Sequence, residues 1–177
     1  MALITTIGAT SADSYATLAE YTARATAMGW TLAETDAENE INLRRAAVVL
    51  DESYAFVGMK QYQFQARDWP RLVNQLVDGW PINPDTVPEP VKIAQMEMAF
   101  IIQGGFDPLA TVEAGIKRKR EKVDVIEEDI EYAGALTLPR FTAVDRILRD
   151  YVRAGAGQIA LSRASANMPA QKPRQRG

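Results

Sequence analysis

The stretch "PVKIAQMEMAFIIQGG", Pro90 to Gly105, decides the fold class. Proline is tolerated in a first helical turn, where its missing N–H would have no partner anyway. Val91, Ile93, Ala94, Met96, Met98, Phe100, Ile101 and Ile102 then set apolar side chains nearly all round a helix that stops at Gly104-Gly105. A helix without a polar face must be covered on several sides, so this one is expected at the centre of a helical body.

Upstream, two capping boxes open the helices expected to cover it. "TLAE", Thr17 to Glu20, starts a helix over 17–28 with Leu18, Tyr21, Ala25 and Met28 on or near one face, stopped by Gly29. "TDAE", Thr35 to Glu38, starts a longer one over 36–57, in which Leu43, Ala47, Leu50, Tyr54 and Val57 keep a helical repeat and Gly58 closes it. Downstream, "TAVD", Thr142 to Asp145, caps a last helix over 143–153 lined by Val144, Ile147, Leu148, Tyr151 and Val152. Between the helices, "DGWPINPDTVPEPV" carries four prolines that enforce extended or turn structure.

Residues 116–134, "IKRKREKVDVIEEDIEYAG", change character. Val123 and Val125, then Ile130 and Tyr132, alternate with charges, which is strand periodicity. The segment reads as a hairpin turning near Glu127–Asp129 or as one extended arm. Residues 154–177 are small, polar and basic, without a sustained apolar period, and read as an extended arm. The expected architecture is mainly α: a small antiparallel helical bundle over 1–153, a β-hairpin or extended protrusion at 116–134, and a C-terminal arm.

Composition narrows the chemistry. The 177 residues include no cysteine and no histidine. That removes disulfides, thiol nucleophiles, thiolate metal sites, the commonest general base and the usual metal ligand. Glu38/Glu40, Asp51/Glu52 and Glu127-Glu128-Asp129 are the carboxylate pairs left, and neighbours on one helix point in different directions. They read as solvated faces. The expectation is a protein that is not an enzyme and holds no metal or cofactor. "MALITTIGATSADSY" lacks a basic start and a long apolar run, and no apolar run approaches the ~20 residues of a membrane span. A soluble chain without membrane contact is expected.

Charge is divided along the chain. Residues 1–115 carry 7 Lys+Arg against 15 Asp+Glu, whereas residues 116–177 carry 13 against 8. The basic run Lys117, Arg118, Lys119, Arg120 and Lys122 is followed by Asp124, Glu127, Glu128, Asp129 and Glu131. A basic block beside an acidic one fits self-association or a solvated surface, with direct nucleic-acid binding as the alternative. No phosphate-cradling glycine pattern and no aromatic-studded basic groove is visible.

"FQARDWPRL", Phe64 to Leu72, packs Gln65, Arg67, Asp68, Trp69, Pro70 and Arg71 into a few residues. It reads as a rigid structural corner, with Asp68 as a cap for a short turn, Trp69 plugging the body, and Arg67 and Arg71 free to pair with acids here or on a neighbouring subunit. Trp30 and Trp80, like Trp69, read as core or interface anchors, and both Trp-Pro bonds, 69–70 and 80–81, are candidates for the cis form.

The order of these pieces is recognisable. "ADSYATLAEYTARATAMGW", "LRRAAVVLDESYAFVGMKQYQFQARDWPR", "INPDTVPEPVKIAQMEMAF", the charged segment ending "EYAG" and "PRFTAVDRILRDYV" together resemble the head–tail adaptor (connector, head-completion) proteins of tailed bacteriophages over about residues 12–153. Part of that group carries a DnaT-like single-stranded-DNA-binding label. The Ser14-Tyr15 start, Leu43 to Asp51, Gly58, Gln65, Trp69-Pro70-Arg71 and Val87-Pro88 are the most specific pieces. One departure is "LVNQLVDGW" after Arg71, where the family runs a short loop.

The resemblance implies a structural virion protein: a ring, commonly of twelve subunits, under the portal at the head–tail junction, assembled in the host cytoplasm. Its partners would be further copies of itself, the portal, a downstream neck or tail-completion protein, and DNA passing through the channel without sequence-specific binding. Lys117–Lys122 with Glu127, Glu128 and Asp129 would meet the adjacent subunit or the channel. The arm would dock on the portal through Arg163, Lys172, Arg174 and Arg176, with Met168 filling a pocket. The alternative is a single-stranded-DNA-binding or replication accessory protein.

Overall fold

The computed structural model describes residues 2–106, 116–120, 129–132 and 141–153, of which 116–120 and 129–132 are described by their backbone. The architecture is mainly α with small antiparallel strand pairs, as expected from sequence. Helix α1 (Leu18–Met28) starts on the Thr17–Glu20 capping box, in which the Thr17 hydroxyl accepts from the Glu20 N–H and the Glu20 carboxylate accepts from the Thr17 N–H. It ends on Gly29 in the left-handed region. Helix α2 (Asp36–Ser53) starts on the same device at Thr35 and Glu38.

Helix α3 (Glu89–Gln103) is the central helix. Val91, Ala94, Gln95, Met96, Met98, Ala99 and Ile102 are all buried, against α2 on one side and α4 (Thr142–Leu148) on the other. Trp30 stacks on its Phe100 at 4.5 Å between ring centroids, covering a third side.

Two helices are shorter than their repeats predict, for one shared reason. Beyond Tyr54 the chain turns extended and pairs with the segment after α4. The Val57 N–H donates to the Tyr151 carbonyl at 3.0 Å, and the Arg153 N–H donates to the Ala55 carbonyl at 2.9 Å. The bridge takes the last turn expected of α2 and of α4 alike. Gly58 therefore does not close a helix. It sits at φ 74°, and a Cβ there would lie 2.1 Å from the Leu72 carbonyl oxygen, so only glycine allows this approach. Thr142 is the first residue of α4 rather than its cap, and Asp145 instead accepts the Tyr54 hydroxyl at 2.8 Å.

Four two-residue strands fill the connection from α2 to α3, where only turns and extended chain were expected. β1 (Met59–Lys60) pairs with β2 (Arg71–Leu72), and β3 (Leu76–Val77) pairs with β4 (Trp80–Pro81), both antiparallel. Asp78 and Gly79, at φ 52° and 84°, make the two-residue turn between β3 and β4. An Asp-Gly turn with both residues at positive φ matches the twist of a tight hairpin. Trp69–Pro70 is cis; Trp80–Pro81 is not.

β5 (Ile116–Arg120) pairs antiparallel with β6 (Asp129–Tyr132), which selects the hairpin over the single extended arm. Arg120 stands opposite Asp129, so the connection falls within 121–128, outside the described residues.

Candidate functional site

The corner after β1 is built from the inside. Gln65 accepts from the Tyr62 N–H and donates to the carbonyls of Arg67 and Pro70, closing the loop on itself. Trp69 is 1% exposed and meets Phe56 and Tyr151 edge to face at 5.7 and 6.0 Å. Arg71 is buried: its guanidinium donates to the carbonyls of Val57, Gly58, Phe56 and Asp68 and pairs with the Asp68 carboxylate at 3.3 Å. Of the two pairings expected for Arg71, with an acid of its own body or of a neighbouring subunit, the structure shows the first, and four carbonyls of its own chain occupy the rest of the guanidinium. Asp68 spends its carboxylate on Arg71 and Lys60 (3.1 Å).

Behind the corner lies a small buried polar cluster. The Tyr15 hydroxyl donates to Asp51 and accepts from the backbone N–H groups of Asp68 (3.0 Å) and Trp69 (3.4 Å). Arg67 approaches Asp51 at 3.4 Å. Asp51 thus does not lie on a solvated face as expected; it is the carboxylate on which the N-terminal segment, α2 and the corner converge. Burial pushes its pKa up to about 6, partly opposed by the bond from Tyr15 and the charge of Arg67. Burial likewise pushes the Tyr15 phenol well above its ordinary value, reinforced by the adjacent Asp51 charge. A small cavity of about 10 Å³, lined by Tyr15, Gln65, Arg67 and Trp69, lies between the cluster and the N-terminal loop.

Gln95 is the residue that sequence reasoning passed over. It is fully buried on α3; its side-chain oxygen accepts from the N–H groups of Tyr15 (2.9 Å) and Ala16 (2.8 Å), and its nitrogen donates to Ser14 Oγ and the Leu43 carbonyl. The signal was available: positions 91, 95, 98 and 102 make one helical stripe, and Gln95 is its lone polar member.

Two surface properties matter for binding. Cations of the described body pair with its own carboxylates: Arg24 with Glu97, Arg44 with Asp13, Lys60 and Arg71 with Asp68, Arg67 with Asp51, and Lys92 with Glu20. Conversely, Met59, Tyr62, Phe64, Leu72, Leu76 and Trp80 are large apolar residues left exposed between α2 and α3. Trp80, at 76% exposed, is no core residue. Trp30 is half-buried on Phe100, with the Arg24 guanidinium 5.5 Å above its ring.

Of the expected contact residues, Lys117, Arg118, Lys119 and Arg120 lie on β5 and Asp129 on β6. Lys122, Glu127, Glu128 and the arm residues Arg163, Met168, Lys172, Arg174 and Arg176 lie outside the described residues. Among the described residues no cluster of three or more metal-ligating side chains occurs, and no helix is long and apolar enough to cross a membrane.

The family described as "Putative DnaT-like ssDNA binding protein" matches residues 1–164, and the chain belongs to that family. No curated protein and no solved structure matches the chain.

Proposed function

We propose that the chain works by assembly, as a head–tail adaptor of a tailed bacteriophage that forms a ring under the portal and extends the DNA channel toward the neck. The observation that carries this reading is the inverted surface of the described body. Cations such as Arg24, Arg44, Arg67 and Lys92 are paired with its own carboxylates while large apolar side chains face solvent. Gripping a strand takes cations aligned with its phosphates. Assembly takes uncovered apolar surface. The motif order from Ser14 to Val152 supports the same reading.

In this account the chain has no catalytic residues and no cofactor. Its acidic body lets DNA pass by like-charge repulsion. The segment from Lys117 to Asp129 meets a neighbour or the channel, and residues 154–177 dock on the portal. The site of action is the head–tail junction of the virion, reached from the host cytoplasm.

A second reading is single-stranded-DNA binding or an accessory role in replication. The family's description favours it directly, and Lys117–Arg120 on β5 supply a run of cations. Two measurements separate the readings. Light scattering of the full chain, alone and mixed with a candidate portal, is expected to give a ring mass that joins the portal, and deletion of 156–177 is expected to abolish portal binding with the helical spectrum unchanged. A monomer that ignores the portal and binds oligonucleotides in a salt-sensitive way overturns the adaptor reading.

A further inference from the structure

We propose that the β3–β4 hairpin is the apolar anchor by which one copy of this chain holds a second. The proposal rests on the assembly reading and gives it a surface. In an antiparallel pair, residues directly opposite share a face and successive residues alternate. Val77 pairs with Trp80 and Leu76 with Pro81, so Trp80 and Leu76 lie on opposite faces of the ribbon. Both are exposed, at 76% and 58%, although Val77 packs on the core. A ribbon folded down as a lid would hide one face. This one presents apolar groups on both, which is a shape for insertion into a partner.

The turn supports the same use. Asp78-Gly79 holds the ribbon by backbone geometry, and the Gln75 side chain donates to the Asp150 carbonyl, tying its base to the end of α4. A preformed ribbon loses little conformational freedom on docking. Size also fits. With Met59, Tyr62, Phe64 and Leu72, the exposed apolar groups offer on the order of 700 Å², beside the ~800 Å² per partner of a standard interface.

Charge chooses the occupant. Asp78, Asp85 and Asp150 lie on or beside this surface, and Arg149 is held by Asp150 at 3.0 Å. Such a rim repels a phosphate backbone. The opposite charge exists in this same chain, in Lys117–Lys122 and in the five basic residues from Tyr151 onward, which no acid accompanies. A second copy presenting its basic half to the acidic body of the first satisfies both terms, and such a head-to-tail contact closes into a ring when its rotation closes.

The test is sedimentation velocity on the full chain as wild type, as L76S/W80S, as the single W80E, and as M28S/I41S, which removes exposed apolar groups elsewhere. Wild type and M28S/I41S are expected to form the same oligomer. L76S/W80S and W80E are expected to raise the dissociation constant by at least about 30-fold, with the far-UV helical spectrum unchanged. Oligomeric hairpin variants beside an oligomeric wild type overturn the anchor and leave the assembly reading standing. A monomeric wild type overturns both. Loss of oligo-dT binding in W80E, with the oligomer intact, overturns the anchor in favour of a base-stacking role.

Discussion

The corner at residues 64–72 and the ribbon at 76–81 are near neighbours in sequence and opposites in construction. The corner is rich in charge and amide, yet Gln65, Trp69 and Arg71 are buried. The ribbon is apolar, yet Leu76 and Trp80 face water. Burial here follows partners rather than polarity. Arg71 can leave water because four backbone carbonyls meet its guanidinium, and the buried carbonyls gain donors in return. Trp80 stays out because nothing among the described residues covers it. The first region uses its side chains to hold the chain to itself, and the second leaves Leu76 and Trp80 uncovered among the described residues.

Substitutions sharpen that contrast, and the largest effect belongs to the corner. Trp69→Ala is expected to cost about 3–5 kcal/mol of unfolding free energy, since a fully buried aromatic between Phe56 and Tyr151 leaves a cavity. A loss under about 1 kcal/mol by denaturant titration would mean the corner is not core.

Asp51 comes next, through pH. Its folded-state pKa of about 6 exceeds the ordinary 3.8, so the folded chain holds a proton that the unfolded chain releases. Stability from this group is full below pH 3.8 and is lost as pH climbs through 6, a swing of roughly 3 kcal/mol. Asp51→Asn is expected to lose this slope, gaining on the wild type between pH 4 and pH 7. Parallel stability curves over that range would contradict the buried placement.

Arg71→Lys keeps the charge but not the fork that reaches several carbonyls at once, and about 2 kcal/mol is expected to go. Wild-type stability in that variant would remove Arg71 from the corner's framework. The smallest effect is the most telling for the ribbon: Trp80→Ser is expected to change monomer stability by no more than about 0.5 kcal/mol. A loss near that of Trp69→Ala would break the contrast outright.

How much was legible in the sequence follows the same division. Helix starts could be read because capping is local: Thr17/Glu20 and Thr35/Glu38 act over three residues. The central place of α3 could be read because its apolar residues run round the helix. The ends of α2 and α4 could not, because the bridge between Phe56 and Val152 joins segments nearly a hundred residues apart and no local pattern announces it. The β3–β4 hairpin was readable and went unread: Asp78-Gly79 between "LV" and "WP" is a hairpin signal that the surrounding prolines masked. The burial of Asp51 depends on Tyr15 and Arg67 arriving from two other segments, which periodicity cannot report.

The central claim is that this chain binds copies of itself and does not grip a strand. Sedimentation velocity of the full chain with a fluorescent oligo-dT at physiological salt, followed at both protein and dye wavelengths, tests it most directly. The account predicts a discrete protein oligomer with the oligonucleotide left sedimenting alone. A protein monomer that carries the oligonucleotide down with it would contradict the account and establish the strand-binding reading in its place.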